Sequence, residues 1–421
     1  MNTFDSPLTA LKRGNWFKLI CGASYQHLPA IRNLTLAYTL AGADCIDVAA
    51  DPAVITATTQ ALNQAESLGK QAQTLGFGYR YRPWLMVSLN DGEDPHFRKA
   101  QFEATACPDS CWRPCETVCP TGAIAFSQIK SGVIDELCYG CGRCIPICPA
   151  NLISARSYVF RPDEMLPLVL QTGIDALEIH TQVGRERDFQ RLWNSIQPHL
   201  EKLKLVSISC PDGDDVVEYL KTLSEMITPL NCPLIWQTDG RPMSGDIGAG
   251  TTLASVKLCQ KILVANLPGY VQLAGGTNDY TIAKLKSLGL LQSTVQSPVI
   301  NAVFPNPDRP TQTIGGKRKR LRSINSSHRV AGVAYGSYAR VLLSPIWEKL
   351  ESLSTPEINM GTFDQDEIIT RKHQPLIQEN MFTLVETSHC GSRLETNPEL
   401  LWQAVGKAST LVSQIKSVIS E

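Results

Sequence analysis

The cysteines of this chain are concentrated in one segment. Of fourteen cysteines, eight lie between residues 107 and 148, in two runs of four that each end in Cys-Pro: Cys107, Cys111, Cys115 and Cys119, then Cys138, Cys141, Cys144 and Cys148. The second run has two, two and three residues between successive cysteines, which is the bacterial ferredoxin spacing, whereas every gap in the first run is three residues. Eight thiolates are the number that two [4Fe–4S] clusters require. The pattern therefore predicts two such clusters.

Each run leads into similar sequence, with Cys-Pro-Thr-Gly-Ala-Ile at 119–124 and Cys-Pro-Ala-Asn-Leu-Ile at 148–153. In two-cluster ferredoxins the cysteine before proline binds the cluster of the other run. We therefore expect one cluster on Cys138, Cys141, Cys144 and Cys119, and the other on Cys107, Cys111, Cys115 and Cys148. Zinc ribbons and disulfides are alternatives, but neither explains two runs that each end in proline. The remaining cysteines stand singly among apolar residues, which predicts buried side chains: Cys21, Cys45, Cys210, Cys232, Cys259 and Cys390.

The composition is that of a globular protein with balanced charge. The chain has 39 basic and 40 acidic residues, and 43% of it is hydrophobic, which suffices for a sizeable core. No apolar run reaches the roughly 18 residues of a membrane span, and the first residues lack a signal-peptide pattern. Clusters need free thiolates, so a reducing compartment fits best. We expect a cytoplasmic protein.

Outside the cysteine segment, strands and helices alternate. Eight short runs of apolar or β-branched residues predict strands at Phe17–Cys21, Cys45–Ala49, Trp84–Leu89, Ala176–His180, Leu205–Ser209, Leu234–Thr238, Tyr270–Ala274 and Val330–Ala334. Most successive strands start about 30 residues apart or slightly more, which is one βα unit. Eight such units predict a (β/α)₈ TIM-type barrel. An open doubly wound sheet is the alternative, but no Gly-x-Gly-x-x-Gly turn follows an early strand.

Two long steps between strands predict insertions into the barrel. The first, at 94–161 after the third strand, is a ferredoxin-like module that carries the cysteines. The barrel is expected to occupy 1–93 and 162–354, with a second insertion at 292–329. A C-terminal extension at 355–421 is expected to pack on the barrel through a helix at Pro398–Ile419. Loops after barrel strands lie on the C-terminal face, where these barrels carry their sites.

Two glycine turns follow the last two predicted strands, at Gly275 and Gly276 and at Gly336 and Ser337. Many barrels bind a phosphate there through backbone N–H groups and a helix N-terminus. The turns therefore predict a phosphate grip, with flavin mononucleotide (FMN) as a candidate ligand. The alternative is that these glycines only make tight turns between strand and helix.

Other polar residues stand at strand ends without defining a catalytic pair: Asp51, Asn90, Glu178, His180, Ser209, Asp239 and Arg241. The second insertion carries the basic run 317–322. Such a run is most often a solvated surface. The alternative is a docking patch for an acidic partner such as a ferredoxin-type electron donor; nucleic acid is less favoured because the whole chain is near neutral.

Three segments and the cysteine module resemble the light-dependent period A (LdpA) family of cyanobacterial proteins: Trp16–Ser24, Leu40–Asp47 and Gly332–Arg340. The resemblance covers nearly the whole chain, with the basic insertion and the C-terminal extension matching least. It implies an iron–sulfur redox sensor that conveys the light-dependent redox state of the cell to circadian clock input and oscillator proteins. The alternative is a ferredoxin-coupled oxidoreductase with a flavin or a phosphate-bearing substrate in the barrel mouth.

Overall fold

The computed structural model describes residues 6–21, 28–92, 98–119, 122–126, 131–134, 138, 144–157, 162–240, 250–291, 329–353 and 393–417. Its strands are β1 (Trp16–Ile20), β2 (Cys45–Ala49), β3 (Trp84–Asn90), β4 (Arg98–Gln101), β5 (Ile124–Phe126), β6 (Ser131–Val133), β7 (Ser154–Ser157), β8 (Ala176–His180), β9 (Leu205–Pro211), β10 (Leu234–Asp239), β11 (Tyr270–Ala274) and β12 (Gly332–Tyr335). Its α-helices are α1 (Pro7–Arg13), α2 (Leu28–Ala41), α3 (Pro52–Thr74), α4 (Pro114–Val118), α5 (Cys144–Ile147), α6 (Pro162–Gln171), α7 (Glu186–Ile196), α8 (Val216–Ile227), α9 (Thr251–Ala265), α10 (Thr281–Ser287), α11 (Ser337–Ser352) and α12 (Pro398–Lys416).

Eight parallel strands close into a barrel in the order β1-β12-β11-β10-β9-β8-β3-β2. This confirms the predicted (β/α)₈ barrel and excludes the open sheet. Each predicted strand occurs, and the largest shift is in the last one, which pairs from Gly332 rather than from Val330. A Cβ at Gly332 would lie 2.4 Å from the backbone oxygen of Trp16, so glycine allows β1 and β12 to meet there.

Apolar side chains pack on the outer face of the barrel and at the N-terminal end of its strands. Phe17 stacks between Tyr38 and Tyr335, with ring centroids 5.9 and 5.2 Å away, and so joins β1 and β12 to α2. At the N-terminal end, Trp16 meets Trp84 edge to face at 5.7 Å, and α1 covers this end of the barrel. In the described part of the chain, none of the helices combines the length and apolarity that crossing a membrane requires.

The C-terminal helix α12 packs on α2 and α11. The predicted helix is therefore confirmed, although it ends at Lys416 rather than at Ile419. Lys416 Nζ lies 2.5 Å from Asp44 Oδ2 at the loop before β2. Beside the start of α12, Arg32 of α2 forms an ion pair with Glu395. The Arg32 side chain is 11% exposed and the Glu395 side chain is 15% exposed. Two buried or nearly buried ion pairs thus hold both ends of α12 to the barrel.

Two small antiparallel sheets lie in the chain between β3 and α6. Strand β4 pairs with β7, and the first residue of β4, Arg98, is the register partner of the last residue of β7, Ser157. Strand β5 pairs with β6 between them. The segment that carries the clustered cysteines therefore begins and ends in one pair of strands. The basic insertion, apart from Arg329, falls outside the described residues.

Candidate iron–sulfur site and barrel interior

The cysteine segment has a small core of its own. Four thiols are buried in it together with Ala100, Ala123, Ile124 and Ile153; they belong to Cys115, Cys119, Cys138 and Cys144. Cys148 is partly buried against the same cluster. Every described cysteine is a free thiol. The predicted ligand Cys141 lies outside the described residues, as does Cys390.

The two Cys-Pro motifs fold alike. Gly122 N donates to Cys119 O at 3.3 Å, and Asn151 N donates to Cys148 O at 3.1 Å. Gly122 and Asn151 are three residues beyond their cysteines and both have positive φ, 62° and 51°. A positive φ is uncommon for a residue other than glycine. The sequence repeat is therefore also a repeat of backbone conformation, and each copy follows a short helix, α4 or α5.

Backbone N–H groups point at the sulfur in both motifs. Ala123 N donates to Cys119 Sγ at 3.1 Å. Burial alone would raise the pKa of the Cys148 thiol, but hydrogen bonds from the backbone of residues 150–153 lower it below its ordinary value. Donors of this kind stabilise a thiolate, which is the form that binds iron. Both motifs therefore direct backbone donors at a cysteine sulfur.

Cys148 lies among the cysteines of the first run. Desolvation raises the pKa of Cys107, and the neighbouring thiols of Cys111 and Cys148 raise it further. The pKa of Cys115 is raised by desolvation and, to a smaller extent, by Cys148 and Cys107. Cys148 is therefore close enough to Cys107 and Cys115 to raise the pKa of each.

The other predicted group is described in part. Cys138 Sγ accepts a hydrogen bond from Ala100 N on β4 at 3.4 Å, and Cys144 opens α5. Among the residues that the structure describes, no three His, Cys, Asp or Glu side chains are close enough to hold one metal ion. A cubane differs from a single ion because each thiolate binds its own iron.

The two glycine turns lie side by side at the C-terminal ends of β11 and β12. Gly275 and Gly276 have φ of 64° and 90°. Thr277 Oγ1 donates to the Ala334 backbone oxygen at 2.7 Å, which ties the first turn to the second strand. At the other turn, Arg340 Nη2 donates to Ser337 Oγ at 2.9 Å. The predicted grip residues Gly275, Gly276, Gly336 and Ser337 are therefore neighbours, with a guanidinium beside them.

The centre of the barrel holds a charged network that sequence analysis missed. Lys18 on β1 has a fully buried side chain, forms an ion pair with Glu178 on β8, and lies 2.9 Å from Asp47 Oδ2 on β2. Ser207 Oγ donates to Glu178 at 2.7 Å, and Ser88 Oγ donates to Asp47 at 2.6 Å. The available signal in the sequence was a polar residue flanked by apolar residues within a strand, as in Phe17-Lys18-Leu19. Such a residue faces the opposite side of the sheet from its two neighbours.

The network continues toward the mouth through residues that sequence analysis did name. His180 Nε2 lies 3.4 Å from Glu178 Oε1, and the His180 side chain is 36% exposed. Ser209 donates a hydrogen bond to Asp239. Gln237, which sequence analysis did not name, donates from Nε2 to Glu178 at 2.8 Å. Three of the predicted polar strand ends, His180, Ser209 and Asp239, are thus brought together around Glu178.

Two further predicted strand-end residues are described by the structure, Asp51 and Asn90. Asp51 caps α3, accepting from Ala53 N at 2.8 Å. Asn90 ends β3 and pairs in register with His180. Arg241 lies outside the described residues.

The fold and the cysteine segment define a (β/α)₈ barrel protein with an iron–sulfur cluster-binding domain: residues 107–159 match the LdpA Fe-S cluster-binding domain. Residues 168–414 match the Light dependent period A C-terminal domain. A curated relative, Light dependent period A of Synechococcus elongatus, is 49% identical over 357 residues, which are 84% of this chain and 89% of the relative. The chain belongs to the Light dependent period A family.

Shorter similarities cover a small part of the chain. Protein NrfC of Escherichia coli is 43% identical over 68 residues, 15% of this chain and 30% of that protein. An iron-sulfur protein of Rhodospirillum rubrum is 34% identical over 59 residues, 13% of this chain and 31% of that protein. The family domain and these similarities support the presence of an iron–sulfur cluster.

Proposed function

We propose that the chain binds two [4Fe–4S] clusters, one on Cys107, Cys111, Cys115 and Cys148 and the other on Cys138, Cys141, Cys144 and Cys119. The observation that supports this proposal is that Cys148, which belongs to the second run, raises the pKa of Cys107 and Cys115 in the first. That exchange of the fourth ligand is the arrangement of two-cluster ferredoxins. The repeated turns after Cys119 and Cys148 support the same pseudo-symmetry.

We infer that the protein acts as a redox sensor, which conveys the light-dependent redox state of the cell to the circadian clock. A bound cubane supplies a one-electron change of charge. On the protein side, β4 and β7 join the segment to the barrel, and Lys99 Nζ of β4 lies 4.0 Å from Asp51 Oδ2, the cap of α3. The barrel rim is therefore within reach of a change in the cysteine segment. A difference of about 1–3 kcal/mol would change a partner's affinity about 5- to 150-fold.

Binding of purified clock input and oscillator proteins to the oxidised and the chemically reduced protein tests this function. We expect affinities that differ at least fivefold, and cells with Cys144→Ser should oscillate without adjusting their period to light intensity. Cys232→Ser, which changes a half-buried cysteine outside the segment, is the matched control and should keep the adjustment. Equal affinities together with a light-tuned period in Cys144→Ser would contradict the proposal.

A second candidate function is that of an oxidoreductase in which a ferredoxin-type donor and the clusters serve a flavin or a phosphate-bearing substrate in the barrel mouth. It is favoured by the adjacent turns at Gly275, Gly276, Gly336 and Ser337 and by the guanidinium of Arg340 beside them. We expect FMN to bind in a thermal-shift assay and Gly276→Val to abolish the shift, because a side chain there would keep a phosphate from the backbone. No shift with FMN or any other nucleotide would remove this function.

The division of the chain follows the same proposals. We propose that 94–161 is a ferredoxin-like insertion into a barrel formed by 1–93 and 162–354, with 355–421 as an extension. Support comes from the pairing of β4 with β7, which brings the two ends of the insertion together. A cytoplasmic location is proposed because the clusters need reduced thiols.

A further inference from the structure

Polar side chains line the interior of this barrel, in layers that are usually filled by apolar side chains. Bulky branched side chains dominate the interior layers of most (β/α)₈ barrels. Here hydrogen bonds and ion pairs link seven side chains from seven strands, six of them buried and that of Ser88 partly buried. They belong to Lys18, Asp47, Ser88, Glu178, Ser207, Gln237 and Gln272. A buried ionic group stabilises a fold less than well-packed apolar residues of similar volume do. The polar interior is therefore unexplained by stability alone.

The charges inside the barrel do not balance. Among the described residues, three carboxylates face the interior, those of Asp47, Glu178 and Asp239, and one ammonium, that of Lys18, lies between two of them. Within the described part of the chain, which excludes Arg241, the hydrogen-bond donors to Asp239 are neutral: the Ser209 hydroxyl and the Gln237 amide at 3.5 Å. The described interior therefore carries more carboxylates than ammonium groups.

A buried acceptor in the same place has no partner. Gln272 Nε2 donates to Gln237 Oε1 at 2.6 Å, so the two carboxamides face each other inside the barrel. Gln272 has no exposed surface, and its Oε1 has no hydrogen-bond partner. Leaving a buried acceptor unsatisfied costs about 1–3 kcal/mol. The described interior thus presents one acceptor without a donor, Gln272 Oε1, and one carboxylate, that of Asp239, whose described donors are neutral.

Small side chains stand next to these acceptors. Ala274 shares the face of Gln272 on β11 because it lies two residues further along, and it pairs in register with Asp239. On the neighbouring strand, Ala334 pairs in register with Lys18 and faces the interior with it. The partly exposed His180 marks the opening to solvent. A small group that enters past His180 would meet alanines on one side and acceptors on the other.

We propose that the mouth of the barrel binds a small molecule through a protonated amine, which donates hydrogen bonds to the Asp239 carboxylate and to Gln272 Oε1. The excess of carboxylates favours a cation over an anion at this depth, and two acceptors suit an ammonium, which has several N–H donors. Its carbon chain would lie against the small side chains of Ala274 and Ala334. The site depends neither on the clusters nor on the phosphate grip at the rim.

Ligand-detected NMR on the anaerobically purified full chain tests this site. The probes are propylammonium, its neutral analogue propanol and its anionic analogue propionate, each at neutral pH. We expect saturation transfer to propylammonium alone, with affinity reduced about tenfold or more in Asp239→Asn and in Gln272→Leu, because each variant removes one acceptor. Asp212→Asn, which removes an exposed carboxylate paired with Lys261, is the matched control and should bind like the unchanged protein.

Three outcomes would overturn the proposal. They are no saturation transfer to propylammonium, equal transfer to propanol, and undiminished binding in both interior variants. Circular dichroism of each variant shows whether it is folded. Because Asp239→Asn keeps the shape of the side chain, a folded Asp239→Asn protein that binds propylammonium as well as the unchanged chain is sufficient to reject the site.

Discussion

Lys18 and Glu178 form an ion pair at the centre of the barrel, and neither side chain has any exposed surface. Burial alone would lower the pKa of Lys18 and raise that of Glu178. At Lys18 the attraction of Asp47, and then that of Glu178, outweighs burial and raises the pKa. At Glu178 the attraction of Lys18, and then that of His180, outweighs burial and lowers the pKa. Both groups therefore remain charged at neutral pH, on strands 160 residues apart in sequence.

Replacing Lys18 by methionine should destabilise the protein by about 3–5 kcal/mol, because it leaves Glu178 buried without its cation. The double variant Lys18→Met with Glu178→Gln should recover part of this loss, since the neutral amide needs no counter-ion. Urea denaturation of the holoprotein measures both changes. A double variant whose loss equals the sum of the two single losses would show that the pair is not coupled.

Glu395→Gln should loosen the C-terminal helix in a pH-dependent way. Burial would raise the pKa of Glu395, but the hydrogen bonds from Arg32 lower it below its ordinary value. A lowered folded-state pKa stabilises the protein above the unfolded-state pKa, and this contribution is lost as the pH falls through the folded value. We expect a loss of about 1 kcal/mol at neutral pH, since the pair is mostly buried and doubly hydrogen-bonded.

The difference between Glu395→Gln and the unchanged protein should shrink toward zero as the pH is lowered below about 4. Thermal denaturation across this range measures it. Glu399→Gln, which changes a nearby carboxylate without an ion pair in the described residues, is the control and should show a smaller difference at neutral pH. A constant difference at every pH would assign the effect to packing.

Asp239→Asn should stabilise the protein at neutral pH. Desolvation raises the pKa of Asp239 despite the opposing influence of His180 and of the Ser209 hydroxyl. The folded state therefore holds this proton at a higher pH than the unfolded state does, so stability falls as the pH rises from the unfolded-state pKa through the folded value. The asparagine side chain does not ionise, so the stability of the variant does not fall in this way. We expect a higher urea midpoint at neutral pH and equal midpoints in acid, and a lower midpoint at neutral pH would contradict the prediction.

Anaerobically purified protein should contain about eight iron atoms per chain, four for each cubane. Cys144→Ser should halve the iron and loosen the cysteine segment, because the small core around Cys115, Cys119, Cys138 and Cys144 depends on the metal. Iron analysis and the visible absorption spectrum measure this, with Cys232→Ser as the unaffected control. About four iron atoms per chain in the unchanged protein would contradict the proposal of two clusters. Stoichiometric zinc would contradict the presence of any iron–sulfur cluster.

The sequence predicted the barrel because its signals are local. Each strand is a short apolar run, and each run recurs after about one βα unit. The cysteine spacing is equally local, since three ligands of a cubane come from one loop. The helix α12 could be found from its apolar face, although its attachment through Lys416 to Asp44, 372 residues away, could not.

The interior network could not be predicted because it depends on closure. Lys18 and Asp47 are single polar residues within apolar strands, and Gln237 begins the polar end of β10. Nothing in their neighbourhood shows that they meet. Only a closed barrel turns alternate residues of every strand toward one axis. His180, Asp239 and Glu178 were all found because they stand at or near strand ends, but their common network became evident only from the structure.

The pairing of β4 with β7 gives the cysteine segment a single stalk. Neighbouring strands lie about 5 Å apart, so the chain leaves the barrel and returns to it through nearly the same place. A few residues would close that gap if everything beyond the stalk were deleted. A barrel gene could therefore gain, exchange or lose this segment in one genetic event, without any change in the order of the eight barrel strands.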